Sequence, residues 1–238
     1  MTKLIIRTTF LTLLTCCTAL ISKAQIGYDY AQYDAGISVG FNSFYGDTET
    51  PKSSKAINLN FNYNQSPFIN YIFEFQAGKV EGGDASKDLL GRQFISNYTY
   101  LALRIQVQAG ELIDYSNSPV ANAFKNLYVG AGIGQIFNNI NESDINRYST
   151  QLPGYYTPGE LKSNQLFIPA RIGYEFKIYN TYKQPGIKID IGYQANFIFG
   201  DELDGFKAGT HKDIYSQFTI GAKFSIGGVT SYRKQINY

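Results

Sequence analysis

The chain has 238 residues, of which 44% are hydrophobic and 16% aromatic, and its formal net charge is only +2. A charge balance so close to zero argues against a nucleic acid or a strongly acidic protein as the partner. The two cysteines are neighbours, Cys16 and Cys17, so we expect no disulfide, no cysteine-ligated metal and no redox centre in the rest of the chain.

The first residues have the composition of a secretory signal peptide. Lys3 and Arg7 make the start basic, and residues 10–21 form an apolar stretch that is too short to cross a bilayer as a helix. Small residues then offer a cleavage site, so we predict a signal peptide over 1–24. An uncleaved membrane anchor and a lipid-modified Cys16 are alternatives that fit the pattern less well.

A strict alternation of polar and apolar residues follows. Four asparagines alternate with four large apolar residues: Asn58, Asn60, Asn62 and Asn64 with Ile57, Leu59, Phe61 and Tyr63. Successive side chains of a strand point to opposite faces, so this segment has one apolar face and one polar face. The same rhythm predicts eight strands, over 33–46, 57–65, 69–79, 97–108, 127–137, 166–178, 186–199 and 215–226.

Repeated alternation in segments of about ten residues is typical of a transmembrane β-barrel. No stretch after residue 24 is apolar for long enough to form a transmembrane helix. We therefore predict an all-β protein, an eight-stranded antiparallel transmembrane β-barrel with up-and-down topology. It occupies residues 25–226, after the cleaved signal peptide, and a short polar tail over 227–238 follows it.

The predicted connections alternate in length, as they do in outer-membrane barrels with long outer loops and tight periplasmic turns. Long polar connections are 47–56, 80–96, 138–165 and 200–214, and short ones are 66–68 and 179–185. Segment 109–126 is the exception, because it takes the place of a short turn. We predict a brief helix within it, near 120–125.

Alternation alone does not say which face is inside, since a soluble lipocalin-type barrel has the opposite sense. Glycines favour the membrane sense because they fall on the polar face, where a narrow lumen needs small residues: Gly36, Gly40, Gly78, Gly130, Gly132, Gly134, Gly173, Gly192 and Gly221. The apolar face should then meet lipid through Leu59, Phe61, Leu103, Ile168, Ile191 and Ile220. Tyrosines of the same face should form interfacial girdles, namely Tyr63, Tyr71, Tyr174, Tyr193 and Tyr215.

The polar face also carries charges of both signs. These predicted lumen residues are Glu74, Arg104, Arg171, Glu175, Lys188, Asp190 and Lys223, with Lys177 beside them. Ions in a narrow barrel must pair or meet water, so we predict a salt-bridge network that fills the lumen. A small gated pore and a catalytic carboxylate–base pair are the alternatives.

Evidence for catalysis or metal binding is weak. The one histidine, His211, is expected in a solvated loop, and Ser216 is predicted on the lipid side. The last long loop holds Asp201, Glu202, Asp204 and Asp213, which could supply oxygen ligands for Ca²⁺ but lack the spacing of an EF-hand. A solvated acidic loop is the better interpretation. We expect no enzyme activity, no metal and no cofactor.

The chain resembles the small outer-membrane β-barrel proteins of Bacteroidota, within the OmpA/OmpX-like superfamily. The resemblance covers nearly all of the chain after the signal peptide and is carried by Y-D-A-G-I-S-V-G-F, N-L-Y-V-G-A-G-I-G, I-P-A-R-I-G-Y-E-F and Y-S-Q-F-T-I-G-A-K-F-S-I. Two further segments, F-Y-G-D and F-G-D-E-L-D-G, resemble barrel subunits associated with type IX secretion.

The resemblance implies a protein of the outer membrane with both termini in the periplasm. It also implies a barrel assembly signal made of Thr219, Gly221, Phe224 and Ile226. Many relatives end on the aromatic residue of the last strand, whereas this chain continues. The expected partners are outer-membrane lipid, the barrel assembly machinery and other envelope proteins. We expect a structural or interaction role, with a small pore or a lipid-modifying enzyme as alternatives.

Overall fold

The computed structural model describes residues 27–116, 118–149, 151–181, 184–208 and 213–233. The predicted signal peptide and His211 lie outside these residues. Eight antiparallel strands form one closed barrel in which each strand pairs with the next and the last pairs with the first. The predicted all-β, eight-stranded, up-and-down architecture is confirmed.

The strands are longer than the alternation predicts. They are β1 Gly27–Tyr45, β2 Ser53–Asn64, β3 Ile69–Gly83, β4 Gln93–Gln108, β5 Leu127–Asn146, β6 Lys162–Tyr179, β7 Pro185–Ile198 and β8 Ile214–Arg233. Two short helices lie between β4 and β5, α1 Ala109–Leu112 and α2 Pro119–Phe124. Within the described ranges, no helix is long and apolar enough to cross a membrane.

The boundary predicted at Ile226 is too early, because β8 continues to Arg233. Gly27 of β1 pairs with Arg233, so the backbone of both strands remains hydrogen-bonded well past the predicted end. The alternation fails near this point because the register shifts and Gly227 adopts a φ of 84°. A strand with such an irregularity lacks the two-residue rhythm that sequence analysis relies on.

The two ends of the barrel differ in their connections. The terminal end, where Gly27 and Arg233 lie, carries the connections 65–68, 109–126 and 180–184. The loop end carries the longer connections 46–52, 84–92, 147–161 and 199–213. The predicted helix near 120–125 is α2, which starts where the Ser118 hydroxyl accepts a hydrogen bond from the Ala121 amide at 3.3 Å.

The strands place apolar side chains outside and polar side chains inside. Leu103 is 61% exposed, whereas the asparagines of β2 at positions 58, 62 and 64 are buried. Of the residues predicted to meet lipid, Leu59, Phe61, Leu103, Ile168 and Ile220 are exposed and Ile191 is partly exposed. The prediction that Tyr215 belongs to an outer tyrosine girdle is wrong: Tyr215 is buried in the lumen because it shares the phase of Gln217 and Thr219.

Candidate functional site

The lumen contains an ion pair between neighbouring strands β3 and β4. Arg104 Nη2 lies 2.5 Å from Glu74 Oε1, and both side chains are almost completely buried. Arg104 Nη1 also donates to Gln106 Oε1 at 3.1 Å. This pair forms one wall of the polar interior.

A second cluster joins β5, β6, β7 and β8 across the lumen. Lys223 Nζ lies 2.9 Å from Glu175 Oε2 and 2.9 Å from Asp190 Oδ2. Arg171 pairs with Asp190 and donates from Nε to the Tyr128 hydroxyl at 2.8 Å. Each carboxylate in this cluster therefore contacts a cation, and Tyr128 extends the cluster to β5.

A third cluster lies nearer the terminal end. Lys188 Nζ is 2.6 Å from Asp34 Oδ2, and Asp34 also accepts from Asn64 Nδ2 at 2.8 Å and from Ser225 Oγ at 3.0 Å. Lys177 belongs to the second cluster instead, because its Nζ lies 3.9 Å from Glu175 Oε1, and it also donates to the Pro67 carbonyl oxygen at 2.7 Å. The predicted lumen residues are thus divided among three clusters, which Asp34 and Tyr128 complete.

A small cavity lies among these charges. Its volume is about 10 Å³, and its lining includes Asn60, Glu74, Arg104 and Asp190. Glu74 Oε2 and Arg104 Nε have no hydrogen-bond partner in the protein. A cavity of this size has room for about one water molecule.

Aromatic side chains close the lumen toward the loop end. Tyr100 packs on Phe167 with ring centroids 5.0 Å apart, and Tyr98 packs on Tyr215 at 5.6 Å. Above them Phe94 contacts Phe44 at 5.0 Å. All six residues are buried, and together they separate the charge network from the loop end.

A smaller aromatic cluster closes the terminal end. Phe68 packs edge-on against Tyr115 at 5.5 Å and against Tyr232 at 5.9 Å. Tyr115 belongs to the connection 109–126, and Lys125 of the same connection lies over its ring at 5.1 Å. The long connection therefore covers the mouth that short turns would leave open.

The four connections of the loop end contact one another. Arg92 Nη1 donates to the Asp47 carbonyl oxygen at 2.9 Å, and Arg92 Nε donates to Thr157 Oγ1 at 3.2 Å. The Lys207 amide donates to the Pro158 carbonyl oxygen at 2.7 Å. These contacts link all four connections into one cap.

Two aspartates expected to be solvated are instead buried in this cap. Asp204 and Asp213 are almost completely inaccessible, and Asp213 Oδ2 accepts from the Leu203 amide at 2.9 Å. Burial raises the pKa of Asp213 to about 7, with Asp201 and Asp47 adding repulsion. Burial and the charge of Asp213 raise the pKa of Asp204 well above its ordinary value. These loop aspartates are therefore part of the cap's interior.

Aromatic and apolar residues lie exposed on the cap. They are concentrated in the connection 147–161, and the set is Leu89, Tyr148, Leu152, Tyr155 and Tyr156. The rings of Tyr148 and Tyr156 are 5.1 Å apart, and Arg147 Nη1 donates to the Tyr156 hydroxyl at 3.3 Å. An exposed aromatic pair on a well-connected cap has the character of a recognition surface.

Of the two residues considered for catalysis, Ser216 lies among the residues that the structure describes. Ser216 has the outward phase of exposed Phe218 and Ile220, as the sequence predicts, but its side chain is covered and only 5% exposed. No group of three or more histidine, cysteine, aspartate or glutamate side chains that could hold a metal occurs among the residues the structure describes. His211 lies outside those residues.

The predicted assembly signal lies in β8. Thr219 is buried in the lumen, and a side chain at Gly221 would strike Ser38 of β1. Phe224 and Ile226 are exposed on the outside. Recognition of these residues by an assembly machinery stays a prediction.

Several solved outer-membrane proteins are similar in structure to the chain. Neisserial surface protein A shares 10% identity at a TM-score of 0.47, over 84% of this chain and 99% of that protein. The attachment invasion locus protein Ail of Yersinia pestis shares 12% identity at 0.45, over 82% and 98%. OprG of Pseudomonas aeruginosa shares 13% identity at 0.36, over 86% and 98%. No protein-family model matches the chain, and a comparison with curated proteins finds no match.

Proposed function

We propose that the protein is a non-catalytic outer-membrane β-barrel that is closed to solutes and acts through the surface of its loop end. The observation that carries this proposal is the distribution of side chains in the barrel wall. Charged residues such as Glu74 and Arg104 are buried inside, while large apolar residues such as Leu103 are exposed outside. A protein surrounded by water would favour the reverse.

The exposed apolar residues on the outer wall form an apolar belt, which supports the proposal that lipid surrounds the barrel. Exposed apolar residues follow one another on every strand, and large exposed apolar surfaces mark contact with a membrane or a partner. Tyrosines at the terminal end of this belt stack in a row, with Tyr33 and Tyr63 5.7 Å apart and Tyr63 and Tyr71 6.1 Å apart. Such a row is typical of the aromatic girdle at a membrane interface.

The lumen argues against a pore, because its charged and aromatic side chains are buried against one another and the cavity among the charges has room for about one water molecule. A lipid-modifying enzyme would need a nucleophile on the outside or at the rim, and buried Ser216 does not meet that need. A role in recognition fits the exposed tyrosines of the cap.

The narrower parts of the proposal rest on sequence resemblance. They are an origin among the barrels of Bacteroidota, a periplasmic location of both termini, assembly through Thr219, Gly221, Phe224 and Ile226, and membership of an envelope or secretion assembly. The partners would be outer-membrane lipid, the barrel assembly machinery and other envelope proteins.

Refolding into vesicles and electrical recording test the proposal. We expect the full chain to fold in lipid vesicles but to stay insoluble without lipid or detergent, and to give no stable conductance steps in planar bilayers. A large, stable conductance would show an open pore, and a folded protein in plain buffer would exclude the membrane assignment. For the enzyme alternative, an acyl-lipid pattern that depends on the protein and is lost in His211→Ala would overturn the non-catalytic role.

A further inference from the structure

Helix α2 has an unusual distribution of side chains for a surface helix. Val120 is 66% exposed and Phe124 is 52% exposed, while the polar Asn122 between them is only 4% exposed. None of the six residues of the helix is charged. A helix in water normally buries its apolar side, so α2 has the same inverted sense as the strands of the barrel.

Two hydrogen bonds attach this helix to the rim of the barrel. The Tyr174 hydroxyl donates to the Ala123 carbonyl oxygen at 2.6 Å, and the Glu175 amide donates to the Asn126 carbonyl oxygen at 3.2 Å. Tyr174 stands in the outward-facing row of β6, and its ring is 4.6 Å from that of exposed Phe176. The end of α2 therefore lies beside the apolar outer face, at the terminal end of the wall.

The rest of the connection extends this apolar surface. The Gly110 amide donates to the Lys125 carbonyl oxygen at 2.7 Å and so holds α1 beside α2. Leu112, at the end of α1, is highly exposed. Leu127, the first residue of β5, is also exposed and pairs with Tyr174, so the exposed apolar residues continue from α2 into the barrel wall.

We propose that α2, together with Leu112, is an interfacial anchor that inserts into the lipid leaflet at the terminal end of the barrel. The exposed apolar side of α2 would contact lipid at the boundary between the headgroups and the acyl chains. The absence of charge on α2 and its continuity with the outward row of β6 both fit that environment. The inference rests on the proposed membrane location, and it explains why an 18-residue segment takes the place of a short turn at this end.

The chain has no tryptophan, so a single introduced tryptophan is an unambiguous fluorescent reporter. The test uses the full chain refolded into phosphatidylcholine vesicles that carry bromine, a fluorescence quencher, at a chosen depth on the acyl chain. Phe124→Trp reports on the proposed anchor, Leu103→Trp on the barrel belt and Tyr148→Trp on the loop end. Val120→Trp is a second reporter on the same face of α2 should Phe124→Trp fail to fold.

We expect Phe124→Trp to emit at shorter wavelength than Tyr148→Trp and to lose more emission with bromine near the headgroup than with bromine deep in the chain. Leu103→Trp should be quenched strongly and Tyr148→Trp should not be quenched. If Leu103→Trp is quenched while Phe124→Trp and Val120→Trp behave like Tyr148→Trp, the anchor is wrong and the membrane barrel stands. If Leu103→Trp is not quenched, the proposed membrane location itself fails.

Discussion

Arg104 and Glu74 form an ion pair although they are not opposite each other in the sheet. Glu74 pairs with Ala102 across β3 and β4, and Arg104 pairs with Ile72, yet Nη2 of Arg104 reaches Oε1 of Glu74 at 2.5 Å. The contact is diagonal, as long side chains on one face of a sheet allow. Space for the guanidinium is provided by Gly130, where a Cβ atom would lie 3.0 Å from Nη1.

Removal of either partner of this pair should destabilise the barrel, because the remaining charge would be buried without its counter-ion. We expect Glu74→Gln and Arg104→Met each to lower the free energy of unfolding by about 3–5 kcal/mol, and the double variant to lose clearly less than the sum. Urea unfolding from lipid vesicles measures the coupling. The surface pair Asp84–Lys87 is the matched control and should couple only weakly. Equal coupling in both cycles would contradict a dry lumen pair.

A charge on the outer wall should affect folding only where lipid covers the wall. Leu103 is 61% exposed on β4, and Leu89 is 50% exposed in the loop-end cap, so an arginine would be tolerated at both sites in water. In a bilayer we expect Leu103→Arg to cost about 2–4 kcal/mol if it lies near the midplane and Leu89→Arg to cost little. The measurement is the free energy of folding into vesicles for the two variants. Similar values would mean that the belt around Leu103 does not face lipid.

Strand packing at Gly132 leaves no room for a side chain. A Cβ atom there would lie 2.0 Å from the backbone oxygen of Leu103 and 2.8 Å from the Cα atom of Arg104, which are rigid parts of the neighbouring strand. We expect Gly132→Ala to destabilise the barrel by about 1–3 kcal/mol. Gly186→Ala is the control, since no atom lies within 4 Å of its added Cβ. A null effect of Gly132→Ala in urea unfolding would show that the strands separate easily at this point.

The alternation made the barrel predictable because inside and outside positions differ in polarity on every strand. It identified Glu74, Arg104 and Asp190 as inward residues, because each lies on the polar face of its strand. It placed Tyr128 on the polar face with Gly130, and Tyr128 is buried, but it did not identify the buried Tyr100, although Tyr100 shares the phase of Arg104. An aromatic residue is compatible with either face, so only strict counting of the phase reveals which one it occupies.

Features that depend on contacts between distant segments could not be predicted from the sequence. The Lys188–Asp34 pair joins residues 154 positions apart, and no local pattern links them. The burial of Asp204 and Asp213 depends on the packing of the cap. A group of acidic residues in a polar loop is predicted to be solvated, because the sequence of the loop does not show which other loops cover it.

The buried aspartates of the cap should make stability depend on pH. The pKa of Asp213 is raised from 3.8 to about 7 in the folded protein, chiefly by burial. At a pH below the pKa of the unfolded state, Asp213 is protonated in both states and does not lower the free energy of unfolding. As pH rises from about 4 to about 7 the unfolded state releases its proton first, so the free energy of unfolding should fall and then stay low.

Replacement of Asp213 by asparagine should remove much of this dependence while leaving an oxygen to accept from the Leu203 amide. We expect Asp213→Asn to be more stable than the natural chain at about pH 8 and close to it at about pH 4, measured by urea unfolding in vesicles at both pH values. Asp84→Asn is the control: hydrogen bonds from Ser86 and Lys87 lower the pKa of Asp84, so this carboxylate is ionised in both states through most of the range. If Asp213→Asn and Asp84→Asn keep the same pH dependence, ionisation of Asp213 does not limit the stability of the cap.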